Sequence, residues 1–95
     1  MRIEFSESIE TDLEAIAEYI ARDNPRRAVT FLQDIRAELQ RIGDGPLRYQ
    51  LRPELGDDAR LGVVGRYVIL FRVAQDVVYV ERIVQGNRQL TNLFQ

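Results

Sequence analysis

The chain has 95 residues, 45% of them hydrophobic and 29% charged, which suits one globular domain and excludes a disordered protein. It contains no cysteine and no histidine, so disulfides, thiolate chemistry, the commonest metal ligand and the usual general base near neutral pH are all missing. We therefore predict a single domain over residues 1–95 that holds no metal and no cofactor and is neither a classical metalloenzyme nor a serine–histidine hydrolase.

The net charge of −2 gives no bulk attraction to nucleic acid, but the charges are unevenly distributed. Residues 1–45 carry six arginines against ten acidic residues, whereas residues 46–95 carry seven arginines against five. Every basic side chain is arginine. This pattern has two interpretations: a coding bias, or a C-terminal half that presents forked guanidinium donors to an anionic partner.

The N-terminal residues 1–5 are predicted to form a short strand with Ile3 and Phe5 on one face. They include charges where a secretory signal would be apolar, and the longest apolar stretch, residues 67–71, is far too short to span a membrane. We expect a cytoplasmic protein with no membrane partner. Ser6 or Ser8 is expected to cap the helix that follows.

Two helices are predicted next from apolar residues at helical spacing. The stripes are Ile9, Leu13, Ile16 and Ile20 in the first helix, and Ala28, Phe31, Leu32, Ile35, Leu39 and Ile42 in the second. Asn24-Pro25 is a helix-start signal, and Gly43 is the expected end of the second helix. The very short link between the helices predicts an antiparallel hairpin.

An irregular connection over residues 44–57 leads to three predicted strands at about 59–65, 67–74 and 77–84, joined by links short enough for hairpins. A short helical segment is expected over residues 88–94. The predicted fold is α+β: an N-terminal strand and an antiparallel helix hairpin packed on an antiparallel three- to four-stranded sheet, with a short C-terminal helix.

The central strands are apolar on both faces. In the strand 67–73 one face holds Tyr67, Ile69, Phe71 and Val73, and in 77–84 Val77, Tyr79 and Ile83 alternate with Val78, Val80 and Val84. A helix hairpin covers only one face of a sheet. Either the long connection and the tail cover the other face, or it is a groove for a partner peptide.

Several motifs in this order resemble the ParE/RelE toxins over essentially the whole chain. They are Leu13, Ile16, Tyr19-Ile20 and Asn24-Pro25, then Ala28 and Phe31, then Arg60-Leu61, then residues 67–73, and finally residues 80–88, which are similar to the ParE ending "HGxRD". The chain has Gln85 where many relatives have histidine and Gln89 where they have aspartate.

The resemblance implies the toxin of a type II toxin–antitoxin, or plasmid stabilisation, system. A ParD-like antitoxin would lay its C-terminal segment over the toxin, and the antitoxin's DNA-binding part would be the only link to operator DNA. The ParE branch implies DNA gyrase as the target.

The alternative is a ribosome-dependent endonuclease that cleaves messenger RNA, as in the RelE branch. RelE-type toxins use basic residues and a tyrosine near the C-terminus, and that tyrosine position falls on Phe94, which has no proton to give. Arg60 and Arg88 occupy basic positions, but arginine stays protonated and is a poor acid or base. The sequence therefore favours a non-enzymatic toxin with no catalytic residues.

The candidate residues for binding antitoxin or target are four arginines and two apolar residues of the tail: Arg60, Arg72, Arg82, Arg88, Leu90 and Phe94. The alternative is structural, with the arginines paired to Glu81, Asp76 or chain ends and the tail residues packed on the sheet edge. We expect Arg60 and Arg82 to be dispensable for folding. Glu14 and Glu18 have the spacing of a solvated helix face rather than of a catalytic pair.

Overall fold

The computed structural model describes residues 1–87, which form two layers, a helix hairpin and a four-stranded sheet. The elements are β1 (Arg2–Phe5), α1 (Ser8–Ala21), α2 (Pro25–Asp44), β2 (Ala59–Val64), β3 (Tyr67–Ala74) and β4 (Val77–Gln85). Two single-turn 3₁₀ helices, Pro46–Arg48 and Pro53–Leu55, lie in the connection between α2 and β2. The α+β class, the helix hairpin and the three-strand meander are confirmed. The predicted C-terminal helix lies outside the described residues.

The sheet has the order β1-β4-β3-β2 and is mixed, so the prediction of an antiparallel sheet is wrong in part. The tight turns of the meander make β2, β3 and β4 antiparallel, as predicted. By contrast, β1 pairs with β4 in parallel, from Arg2 opposite Val77 to Phe5 opposite Val80. A parallel neighbour needs a long crossover, and the helix hairpin between β1 and the meander supplies it.

Of the signals predicted for α2, the start at Asn24 is confirmed and the end at Gly43 is wrong. Asn24 accepts a hydrogen bond from the Arg27 amide at 3.0 Å, which caps α2 as predicted. Gly43 does not end the helix, which continues to Asp44. A Cβ at Gly43 would lie 3.0 Å from Ile3 Cδ1, so glycine here lets β1 approach α2 closely.

The core lies between the hairpin and one face of the sheet, and a β-bulge sets which residues of β4 enter it. The register shifts between Leu70 and Phe71, whose partners are Arg82 and Val80, so Glu81 is the extra residue. Val78, Val80 and Ile83 therefore share the core, whereas strict alternation had placed Ile83 on the opposite face. Without the bulge, Arg82 would take the core position of Ile83.

The second face of the sheet is partly covered by the connection before β2. Leu55 packs there against Ala59 and Leu70, and each is at most 4% exposed. This confirms the predicted role of the long connection for that part of the face. Val63, further along β2, is 65% exposed.

Candidate functional site

An open cleft of about 430 Å³ lies between α1 and the C-terminal half of β4. It forms because β1 pairs only with Val77–Val80, so the rest of β4 has a helix rather than a strand beside it. The lining residues are Thr11, Asp12, Ala15, Ile16 and Tyr19 of α1, Tyr67 of β3, and Arg82, Ile83, Val84 and Gln85 of β4.

A partly buried ion pair lies in this cleft. Arg82 donates from Nε and Nη2 to the two Asp12 carboxylate oxygens, at 2.9 and 3.0 Å. The Ile83 amide donates to Asp12 Oδ2 at 3.0 Å, so the carboxylate accepts three hydrogen bonds. The bond to Asp12 raises the pKa of Arg82 above its usual value, against the opposing effect of burial. Sequence reasoning missed Asp12, although its place between Ile9 and Ile16 on the apolar stripe was a signal.

Beyond the end of β1, Ser6 and Asp12 continue the hydrogen bonds along the outer side of β4. The Ser6 amide donates to the Val80 carbonyl at 2.9 Å, and Ser6 Oγ donates to the Glu81 carbonyl at 2.7 Å. Further along the strand, the Asp12 carboxylate accepts from the Ile83 amide. Glu7, the residue before α1, makes no side-chain capping bond, but Ser6 Oγ accepts from the Ser8 amide at 3.2 Å. Ser6 therefore satisfies an amide of the first turn, as one of the two serines was predicted to do.

Arg72 lies on the second face of the sheet, away from the cleft. Its Nε donates to Glu81 at 2.8 Å, and its guanidinium lies 5.4 Å from the centre of the Tyr79 ring. The side chain is 45% exposed. The pairing with Glu81 is one that the structural interpretation predicted, and an exposed pair of this kind contributes little to stability.

Arg60 lies beneath the part of the connection that contains Tyr49 and Leu51, on the side of the sheet that faces the helices. Its Nη1 donates to the Tyr49 carbonyl, and the backbone of the same residue bridges to Leu51. Its Nε is buried without a hydrogen-bond partner within the described residues. The guanidinium thus fastens the connection to β2, a contact that the sequence did not predict.

A second polar cluster, also missed by sequence reasoning, joins α2 to the connection. Glu38 is 6% exposed, accepts from the Tyr49 hydroxyl at 3.0 Å and accepts from Arg41 Nε at 2.7 Å. Gly62 leaves room for it, because a Cβ there would lie 2.9 Å from Glu38 Oε2. Burial, and then the bond to Glu38, raise the pKa of Tyr49, which keeps its hydroxyl a donor. The signal was a glutamate at a core spacing between Ile35 and Ile42.

Replacing Tyr49 by Phe should lower the free energy of unfolding by about 1.5 kcal/mol, because a hydrogen bond to a buried carboxylate is lost. The ring would keep its edge contact with Phe71, 5.4 Å between centres. Urea unfolding followed by circular dichroism measures the effect. Tyr19→Phe is the matched control, since Tyr19 is 59% exposed. Equal stability of the two variants would contradict the role of the Tyr49 hydroxyl.

The three described candidate arginines do not converge. Arg82 lies in the α1–β4 cleft, Arg72 lies on the second face, and Arg60 lies beneath the connection. Arg88, Leu90 and Phe94 lie outside the described residues. Within residues 1–87 no cluster of three acidic side chains could hold a metal ion. The cleft itself offers hydrogen-bonding groups and apolar contacts.

No helix within the described part of the chain is long and apolar enough to cross a membrane.

Known proteins share both the sequence pattern and this fold. No curated protein matches the chain. A solved chain of a chromosomal ParDE TA system from P. aeruginosa superposes with a TM-score of 0.76 at 22% identity, over 90% of this chain and 95% of that one. The family described as the ParE toxin of the type II toxin-antitoxin system parDE matches residues 3–90. The chain therefore belongs to the ParE toxin family.

Proposed function

We propose that this protein is the toxin of a type II pair, that it inhibits DNA gyrase in the cytoplasm, and that a ParD-like antitoxin neutralises it. The observation that carries the proposal is the family match over residues 3–90. The similar chain from P. aeruginosa comes from a ParDE system, which supports an antitoxin as partner. Contact with operator DNA would be made by the antitoxin.

The geometry favours a toxin that acts by binding rather than by cleaving RNA. Phosphate cleavage at a 2′-hydroxyl needs a proton acceptor, a proton donor and cations directed at one phosphate. Of the candidate arginines, Arg60 is already engaged by a backbone carbonyl and Arg82 by the Asp12 carboxylate, and the two lie at separate places. We therefore propose a non-enzymatic toxin.

The candidate residues keep different roles within this proposal. Arg72 is exposed enough to exchange Glu81 for a carboxylate of the antitoxin, and Arg82 retains Nη1, which Asp12 does not engage. Arg60 fastens the connection and would act on a partner only through its position. We propose that Arg88, Leu90 and Phe94 contact gyrase, on the sequence pattern of the tail.

Expression of the toxin should arrest growth with induction of the DNA-damage response and accumulation of cleaved DNA on gyrase, while messenger RNA stays intact. Reporter induction, trapped gyrase–DNA complexes and primer extension on abundant messages measure the three effects. Co-expression of the antitoxin should abolish them. Ribosome-dependent cleavage of messages by the purified protein, with no trapped gyrase, would overturn the proposal in favour of the RelE-type alternative.

A further inference from the structure

The C-terminal half of β4 is an open sheet edge inside the α1–β4 cleft. Gly86 donates its amide to the Arg66 carbonyl at 2.8 Å, on the β3 side, and Ile83 donates its amide to Asp12, on the α1 side. Because backbone groups of a strand alternate in direction, Gln85 faces the same side as Ile83. The Ile83 carbonyl and the Gln85 amide and carbonyl therefore face the cleft.

These three groups have no hydrogen-bond partner among residues 1–87, whereas every earlier position of the same row has one. The outward-facing groups of β4 are hydrogen-bonded to the chain of β1 and Ser6 up to Val80, to the Ser6 hydroxyl at Glu81 and to the Asp12 carboxylate at Ile83. No such contact reaches Gln85 from residues 1–87. What remains is one carbonyl and, two residues along, an amide and a carbonyl, which is the pattern that an added strand satisfies.

We propose that this edge binds an extended segment of the antitoxin by strand addition, with α1 as the outer wall of the site. The inference rests on the proposed function and specifies how the partner is bound. An acidic side chain on the added segment would pair with Arg82, since Nη1 of that guanidinium is not engaged by Asp12 and the side chain is 27% exposed. Thr11 and Tyr19 line the opposite wall.

The decisive variant is Gln85→Pro, which removes the outward-facing amide together with the side chain and is tolerated where that amide faces away from the sheet. It should raise the Kd for the purified antitoxin roughly tenfold, the effect of one lost hydrogen bond. Gln85→Ala keeps the amide and should bind as the wild type does. A thermal melt of Gln85→Pro close to that of Gln85→Ala establishes that the fold is intact.

A second variant fills the cleft without touching the core. Ala15 is exposed and lines the cleft, so Ala15→Trp should block the added segment, whereas Gln33→Trp, exposed on α2, should not. The third measurement is amide exchange. The Gln85 amide should be protected from hydrogen exchange when the purified antitoxin is added, and a segment docked as a helix would leave it exchanging.

The outcomes separate the inference from the function on which it rests. An antitoxin that binds the wild type, Gln85→Pro and Ala15→Trp equally, with the Gln85 amide still exchanging, overturns strand addition alone. Protection of that amide in the unbound chain, lost on deletion of residues 88–95, overturns it too, because the chain itself would occupy the edge. An antitoxin that does not bind the wild type refutes the proposed function and the inference together.

Discussion

Replacing Arg82 by Ala should lower the free energy of unfolding by about 3 kcal/mol, because it leaves the Asp12 carboxylate buried without its counter-ion. That carboxylate is 9% exposed and would keep only the Ile83 amide as a donor. For a domain of this size the loss corresponds to a melting temperature lower by roughly 12–24 °C. Differential scanning calorimetry measures it. This revises the expectation from sequence that Arg82 is dispensable for folding.

The control is a double-mutant cycle over the same pair. Asp12→Ala removes the buried charge and leaves the Ile83 amide without its acceptor, so it too should destabilise the fold. The double variant should cost much less than the sum of the single variants, because neither charge is left alone. Arg72→Ala should change stability by less than about 1 kcal/mol, since its pair with Glu81 is exposed. Additive single effects would show that Asp12 and Arg82 are not coupled.

The elements of the fold were predictable because each has a local cause. Asn24-Pro25 starts α2 through one side chain and one ring, and the short links between the strands fix their antiparallel pairing. The place of β1 had no such cause. Residues 2–5 carry nothing that selects a parallel neighbour, and their pairing with β4 depends on where the hairpin returns the chain.

The candidate site was less predictable because its contacts join residues distant in sequence. Asp12 and Arg82 are 70 positions apart, and the bulge at Glu81 brings the Ile83 amide to the same carboxylate. The sequence did contain the anomaly: an acidic residue on each apolar helix stripe, Asp12 in α1 and Glu38 in α2. Such residues identify buried polar anchors, but not their partners.

The same bulge explains why an arginine assigned to partner binding also holds the fold together. It places Arg82 at the rim of the cleft, with two nitrogens on Asp12 and one unengaged. A partner carboxylate would therefore meet a guanidinium already fixed in position, and less side-chain entropy would be lost on binding.

Deletion of residues 88–95 should abolish growth arrest while the antitoxin still binds. Leu90, Leu93 and Phe94 are spaced i, i+3 and i+4, so one helical turn would lay all three against a single surface of the target. The proposed antitoxin site, by contrast, is built from α1 and β4 and lies entirely within residues 1–87.

The two activities should be measured on the same preparations, as growth inhibition in cells and as co-purification with the antitoxin. The triple variant Leu90→Ser, Leu93→Ser, Phe94→Ser is the matched control, since it keeps the chain length and removes only the apolar surface. It should lose toxicity as the deletion does. A truncated chain that still arrests growth would exclude the tail from the target contact. One that no longer binds antitoxin would place the tail in the antitoxin site or in the core, where three apolar side chains would stabilise the fold by up to about 1.5–3 kcal/mol each.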